Sequence, residues 1–148
     1  MYTTDRDSFR QAFLEAWRKS KTGEPLQPLE QQIVQIISQH PEYHAIVDNS
    51  DMLDRDWLPE GGETNPFLHM GLHLALYEQV TTDNPPGMRK LYRQMIENCL
   101  GDVHDAEHRM LECLAEAIWQ VQRHGRAFNS KALLKCIRKR GGGKRQRD

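Results

Sequence analysis

The sequence withholds most of the features that reveal a function directly. No run among its 148 residues reaches the eighteen or so consecutive apolar residues of a membrane helix, so no membrane association is expected. The opening MYTTDRDSFR is charged and has no apolar core, so no secretory signal is expected either. Cysteine is scarce: Cys99, Cys113 and Cys136 are odd in number, widely spaced and contain no CxxC. That pattern argues against a disulfide framework and for reduced thiols in a cytoplasmic protein. Cys99 and Cys113 read as small core residues. Strand-like alternation is missing throughout, and so are internal repeats and any helix-turn-helix or RNA-binding signature.

What remains is helical punctuation. Hydrophobic residues at 38% suffice for a core in a single soluble domain of this length. Phe9, Ala12, Phe13, Ala16 and Trp17 share one face of a helix over about 7–21, with Arg10, Glu15 and Arg18 opposite. KTGEPLQP breaks it. A second helix runs over about 29–39 until Pro41, which can open a short third, PEYHAIVD, to about Asp48. Residues 49–65 read as a long loop, a lid or a segment pinned by Trp57. NPFLHMGLHLALYEQV follows as a helix over 66–80, capped by Asn65 and apolar on almost every side, the mark of a buried central helix. TTDNPPG turns the chain into a helix over 88–99, with Leu91, Tyr92, Met95 and Ile96 inward. Gly101 ends it, Asp102 caps the longest helix at 103–124, and Gly125 stops that one. A last helix spans about 130–140, and GGGKRQRD is expected to be a disordered tail. The expected class is an all-α bundle of six or seven helices, one domain over 1–140 with a basic tail at 141–148.

Six of the seven histidines fall into HxxxH pairs: His40/His44, His69/His73 and His104/His108. Chance placement would give about 0.3 such pairs. Residues i and i+4 share a helix face, so two imidazoles can reach one ion, as in zinc HExxH sites. The 69/73 pair lies on the apolar helix, where a buried imidazole needs a partner. On the 103–124 helix, Glu107 falls inside the apolar stripe of Met110, Leu114, Ala117, Ile118 and Val121, with His104 and His108 at its edge. A carboxylate there needs a cation or strong donors. The expected metal ligands are therefore His69, His73, His104, Glu107 and His108, with Glu107 as ligand or general base. Glu112 is a further ligand or an orienting partner of His108. His40 and His44 carry less weight, because Pro41 places His40 outside the helix it opens. Glu78 lies on the other side from His69 and His73 and is set aside, and His124 reads as a helix-end charge complement. HDAEH matches the inverted zinc-protease pattern HxxEH, but there is no sheet for a substrate strand. The paired ExxH motifs of ferritin-like bundles are missing, and so is the full hemerythrin-style spacing. Imidazole-rich ligation suits a divalent transition metal, zinc or iron first, with nickel and copper open. A histidine–carboxylate network that needs no metal stands as the alternative.

The blocks HPEYHAIVDN, NPFLHMGLHLAL, NPPG followed by LYRQ, and HDAEHRMLECLAEAIWQVQR resemble the bacterial family known as domain of unknown function 1841, over about Phe9 to Arg126. The resemblance implies a small cytosolic bacterial protein and supplies no activity.

The net charge of −1 hides an asymmetry. Eight Lys/Arg lie from Lys131 onward against Asp148 alone, so the other 130 residues carry a balance of −8. Two functional classes follow. One is a helical-bundle metalloprotein with a His/Glu site between the 66–80 and 103–124 helices, using metal-activated water or dioxygen if it is catalytic. The other is a non-enzymatic interaction module with a structural His/Glu network. Its partner would be a small molecule, a protein, or RNA reached through Lys139, Arg140, Lys144, Arg145 and Arg147.

Overall fold

The computed structural model describes residues 5–57 and 65–142. Within them the chain is all-α, with seven α-helices, short 3-10 segments and no strand. No helix among the described residues is long and apolar enough to cross a membrane. Contacts divide the chain into two compact units, Met1–Leu74 and Ala75–Asp148.

The first unit contains α1 (Asp5–Thr22), α2 (Pro28–Ser38), a 3-10 turn Pro41–Tyr43 leading into α3 (His44–Val47), and the first half of α4 (Pro66–Thr82). Proline opens each of α2, the 3-10 turn and α4, where its missing N–H costs nothing. The Asn65 side chain accepts the backbone N–H groups of Phe67 and Leu68, as an N-cap should. The core is built on Phe13, Ala16, Ile33, Ile37, Phe67 and Met70, with Trp17 and Trp57 packed at its margin. Within the span expected to be a loop, Ser50–Asp54 forms a 3-10 helix; residues 58–64 of that span lie outside the described residues.

Two expectations about side-chain direction are overturned. Arg10, assigned to the solvent face of α1, is only 4% exposed. Its guanidinium donates to the carbonyl oxygens of Leu53 (2.9 Å) and Arg55 (2.8 Å), and lies 5.3 Å from the Trp57 ring and 5.1 Å from the Phe67 ring. A long side chain can bend inward when fixed acceptors and aromatic faces replace its water, which helical periodicity does not encode. The second concerns α4, which is not enclosed on all sides: Leu68 is 59% exposed and Tyr77 43%. Gly71 of that helix takes the ring of Phe9, and a Cβ there would stand 2.7 Å from Phe9 Cζ. A side chain at this position would push the ring aside.

The second unit contains the rest of α4, then α5 (Met88–Asn98), α6 (Val103–His124) and α7 (Ser130–Ile137), which runs on as a π-helical turn, Arg138–Gly142. Asp102 caps α6 by accepting the Asp105 N–H, and Gly125 closes it at φ 62°. Asn129 caps α7 in the same way. Buried Met88, Leu91 and Met95 of α5 and Met110, Leu111 and Leu114 of α6 form apolar faces. The tail expected at 141–148 lies outside the described residues beyond Gly142, Lys144, Arg145 and Arg147 included.

Cysteine usage is also corrected. Cys113 of α6 and Cys136 of α7 form a disulfide, with Cα atoms 5.8 Å apart. A separation of 23 residues shows nothing of this, because the turn after Gly125 decides it. Cys99 is free and buried; burial, and then its hydrogen bond to Asp105, push its thiol pKa up, which suits a core residue.

Replacing Arg10 by alanine strands two acceptors and is expected to cost about 2–4 kcal/mol, read as a lower urea midpoint. Arg10→Lys should recover less than half of that, because an ammonium lacks the flat guanidinium face that lies against Trp57 and Phe67.

Candidate metal centre

The first unit gathers three imidazoles. His69 and His73 stand one turn apart on α4, and His40 sits between the end of α2 and the Pro41 turn. Pro41 is the cause: it stops α2, and His40 leaves the helical region, at φ −127° and ψ 68°. From there its ring meets the other two edge-on, with centroids 5.2 Å from His69 and 4.8 Å from His73. One ring nitrogen of each of the three lies within 4.8 Å of those of the others. His40 and His73 are 3% and 5% exposed, and His69 is half-buried.

Proton placement decides what such a group can do. His40 Nδ1 lies 2.7 Å from the Ile36 carbonyl oxygen. A carbonyl only accepts, so Nδ1–H donates, and in the neutral ring Nε2 carries a lone pair. This is how metal-ligating histidines are commonly oriented. The Nε2 atoms of His69 and His73 are 3.2 Å apart. Both cannot carry protons at that distance. Two nitrogens on one tetrahedral zinc ion, at 2.0–2.1 Å each, stand about 3.3–3.4 Å apart.

Tyr43 completes this setting and was not foreseen. Its ring stacks on His40 at 5.5 Å and meets His69 edge-on at 6.1 Å. Its phenol pKa is raised, chiefly by burial and then by the charge of Glu42. The hint was its place inside HPEYH. His44 goes elsewhere: Nε2–H donates to the Ile37 carbonyl at 2.9 Å, and its ring lies against Trp17, with centroids 4.7 Å apart. The 40/44 pair is thus split by its proline.

The second unit holds the α6 candidates. His108 Nδ1–H donates to the His104 carbonyl at 2.7 Å, and the two rings lie against each other at a tilt of 41°, with centroids 4.1 Å apart. Half-buried Glu107 accepts a hydrogen bond from Tyr92 Oη at 2.6 Å. This supplies the strong donor that a carboxylate in an apolar stripe requires. Tyr92, read from sequence as a core residue, is the one the pattern missed: hydrophobic periodicity places its ring and says nothing of its hydroxyl. Burial, then the hydrogen bond to Glu107 and its charge, raise the Tyr92 pKa far above that of an ordinary phenol. Glu112 pairs with Arg140 of the π-helical turn.

Comparison with known families decides membership. Residues 5–139 match the family described as Domain of unknown function (DUF1841), so the chain belongs to that family. Comparison with the curated proteins and with the solved structures finds no match. The family brings no activity with it, and chemistry rests on the side chains.

The Tyr92 pKa carries a sign that can be tested. A phenol that stays protonated in the fold but ionises near pH 10 when unfolded favours the unfolded state as pH rises. Stability should therefore fall above about pH 10, and Tyr92→Phe should flatten that fall, measured by urea unfolding at pH 8 to 11. Tyr43 is shifted the same way, so part of the fall should persist.

Proposed function

We propose that this protein binds one divalent transition metal ion, zinc or iron first, through His40, His69 and His73. The 3.2 Å approach of the His69 and His73 Nε2 atoms carries the reading, and the carbonyl-anchored Nδ1–H of His40 supports it. Imidazole nitrogens suit such ions better than magnesium or calcium, which take oxygen ligands. Three histidines are also one of the protein ligand sets of catalytic zinc sites. A metal held so could lower the pKa of a bound water and supply a nucleophile. The chain's own part is to hold three ring nitrogens close together in a largely buried setting with Tyr43 beside them.

The competing reading keeps the same imidazoles as a structural polar network, and metal content separates the two. Untagged protein equilibrated with zinc or ferrous ion should retain about one equivalent and melt higher than chelated protein. His73→Ala should weaken binding at least tenfold, with His44→Ala as the control that leaves it unchanged. Binding should weaken as the solution is acidified, because protons compete with the metal for the ring nitrogens. Metal-free protein whose melting temperature ignores both metal and chelator supports the structural network instead. The expectation that His104, Glu107 and His108 also ligate has its own variants: His108→Ala and Glu107→Gln lower the metal affinity if α6 contributes, and leave it unchanged if residues 1–74 suffice.

A further inference from the structure

The disulfide of the second unit does more than join two helices. Cys113 is 1% exposed, whereas Cys136 is half-buried, so Cys136 is the half of the disulfide that an incoming thiol reaches more readily. Both residues line a cavity of about 750 Å³ formed by the later turns of α6, the 126–129 connection and α7. That volume lies in the range of small-molecule sites. Its polar lining includes Arg126, Lys131, Gln120 and a single acid, Glu116. A second concavity of about 330 Å³ has Cys136 in its wall too, with Lys135, Lys139 and Arg140 around it. Glu112 neutralises Arg140. The remaining four cations face one carboxylate, so the accessible sulfur sits in a basic surround.

From this geometry we propose that the Cys113–Cys136 disulfide is a thiol-exchange site for a small thiol bearing carboxylates. The incoming thiolate attacks Cys136 Sγ in line with the S–S bond. That bond breaks, a mixed disulfide forms on Cys136, and the electron pair leaves on Cys113, which takes a proton from solvent. A second thiol attacks the mixed disulfide, releases the small-molecule disulfide and leaves Cys136 as a thiol. Two thiols are oxidised and one protein disulfide is reduced. The cations concentrate an anionic thiol and stabilise its thiolate as it approaches.

The experiment uses oxidised full-length protein and reduced glutathione, with cysteamine as the cationic comparison. Reactions are quenched with acid and mapped by peptide mass spectrometry. The adduct is expected on Cys136. At equal thiolate concentration and low salt, glutathione should react about tenfold faster than cysteamine or more. The preference should shrink toward parity in 1 M salt, and also in Arg126→Ala/Lys131→Ala or in Lys139→Ala, exposed positions whose loss leaves the fold intact by circular dichroism. An adduct on Cys113, equal rates for the two thiols at low salt, or reaction only in denaturant would overturn the proposal. So would finding both cysteines reduced in air-equilibrated protein.

Discussion

Arg10 enters the core of the first unit, and three parts of the chain meet on it. It leaves from α1, binds the two carbonyls that end the Ser50–Asp54 segment, and lies against the aromatic rings of Trp57 and Phe67. Phe67 is in the first turn of α4, the helix that carries His69 and His73. The tilt of that turn depends on what packs around Phe67, and Phe13 closes its other side with ring centroids 6.3 Å apart. A buried guanidinium tolerates little displacement, because losing either acceptor leaves desolvated charge behind. The position of the histidine helix is therefore set by an interaction that contains no histidine.

The histidine group itself follows from proton accounting. A carbonyl fixes the tautomer of His40, and the His69–His73 spacing excludes a proton on both facing nitrogens. Lone pairs converge where charge is costly, and either a cation or an exchange of hydrogen bonds must satisfy them. Glu107 shows the other solution. Its oxygen has a phenolic donor at 2.6 Å, so a carboxylate can sit in an apolar stripe there without a metal. There the need of a partly buried polar group is met by a hydrogen bond within the second unit.

The C-terminal part has a different character. Its fold places a disulfide between α6 and α7 in a stretch rich in lysine and arginine. The positive run that composition presents as a tail begins inside a folded helix, and one of its charges, Arg140, is already paired with Glu112. Basic charge here belongs partly to a surface with shape and depth.

The linear sequence determined the helices. Prolines 28, 41 and 66, the Asn65, Asp102 and Asn129 caps, and the Gly125 stop act within a turn of where they stand, so their effect is readable locally. It also marked the histidines, because an i, i+4 pair is a local geometry. Tertiary structure decided which of them meet. His40 reaches the α4 pair through the chain's path after Pro41, while His44, four residues on, turns to a backbone carbonyl. It also decided the inward turn of Arg10, the hydroxyl of Tyr92 on Glu107, and the bond between Cys113 and Cys136. Each of these joins residues 15 or more apart in sequence, and each depends on how helices pack and where side chains point. A helical period fixes the direction of a Cβ atom, but not what stands at the far end of a long or polar side chain.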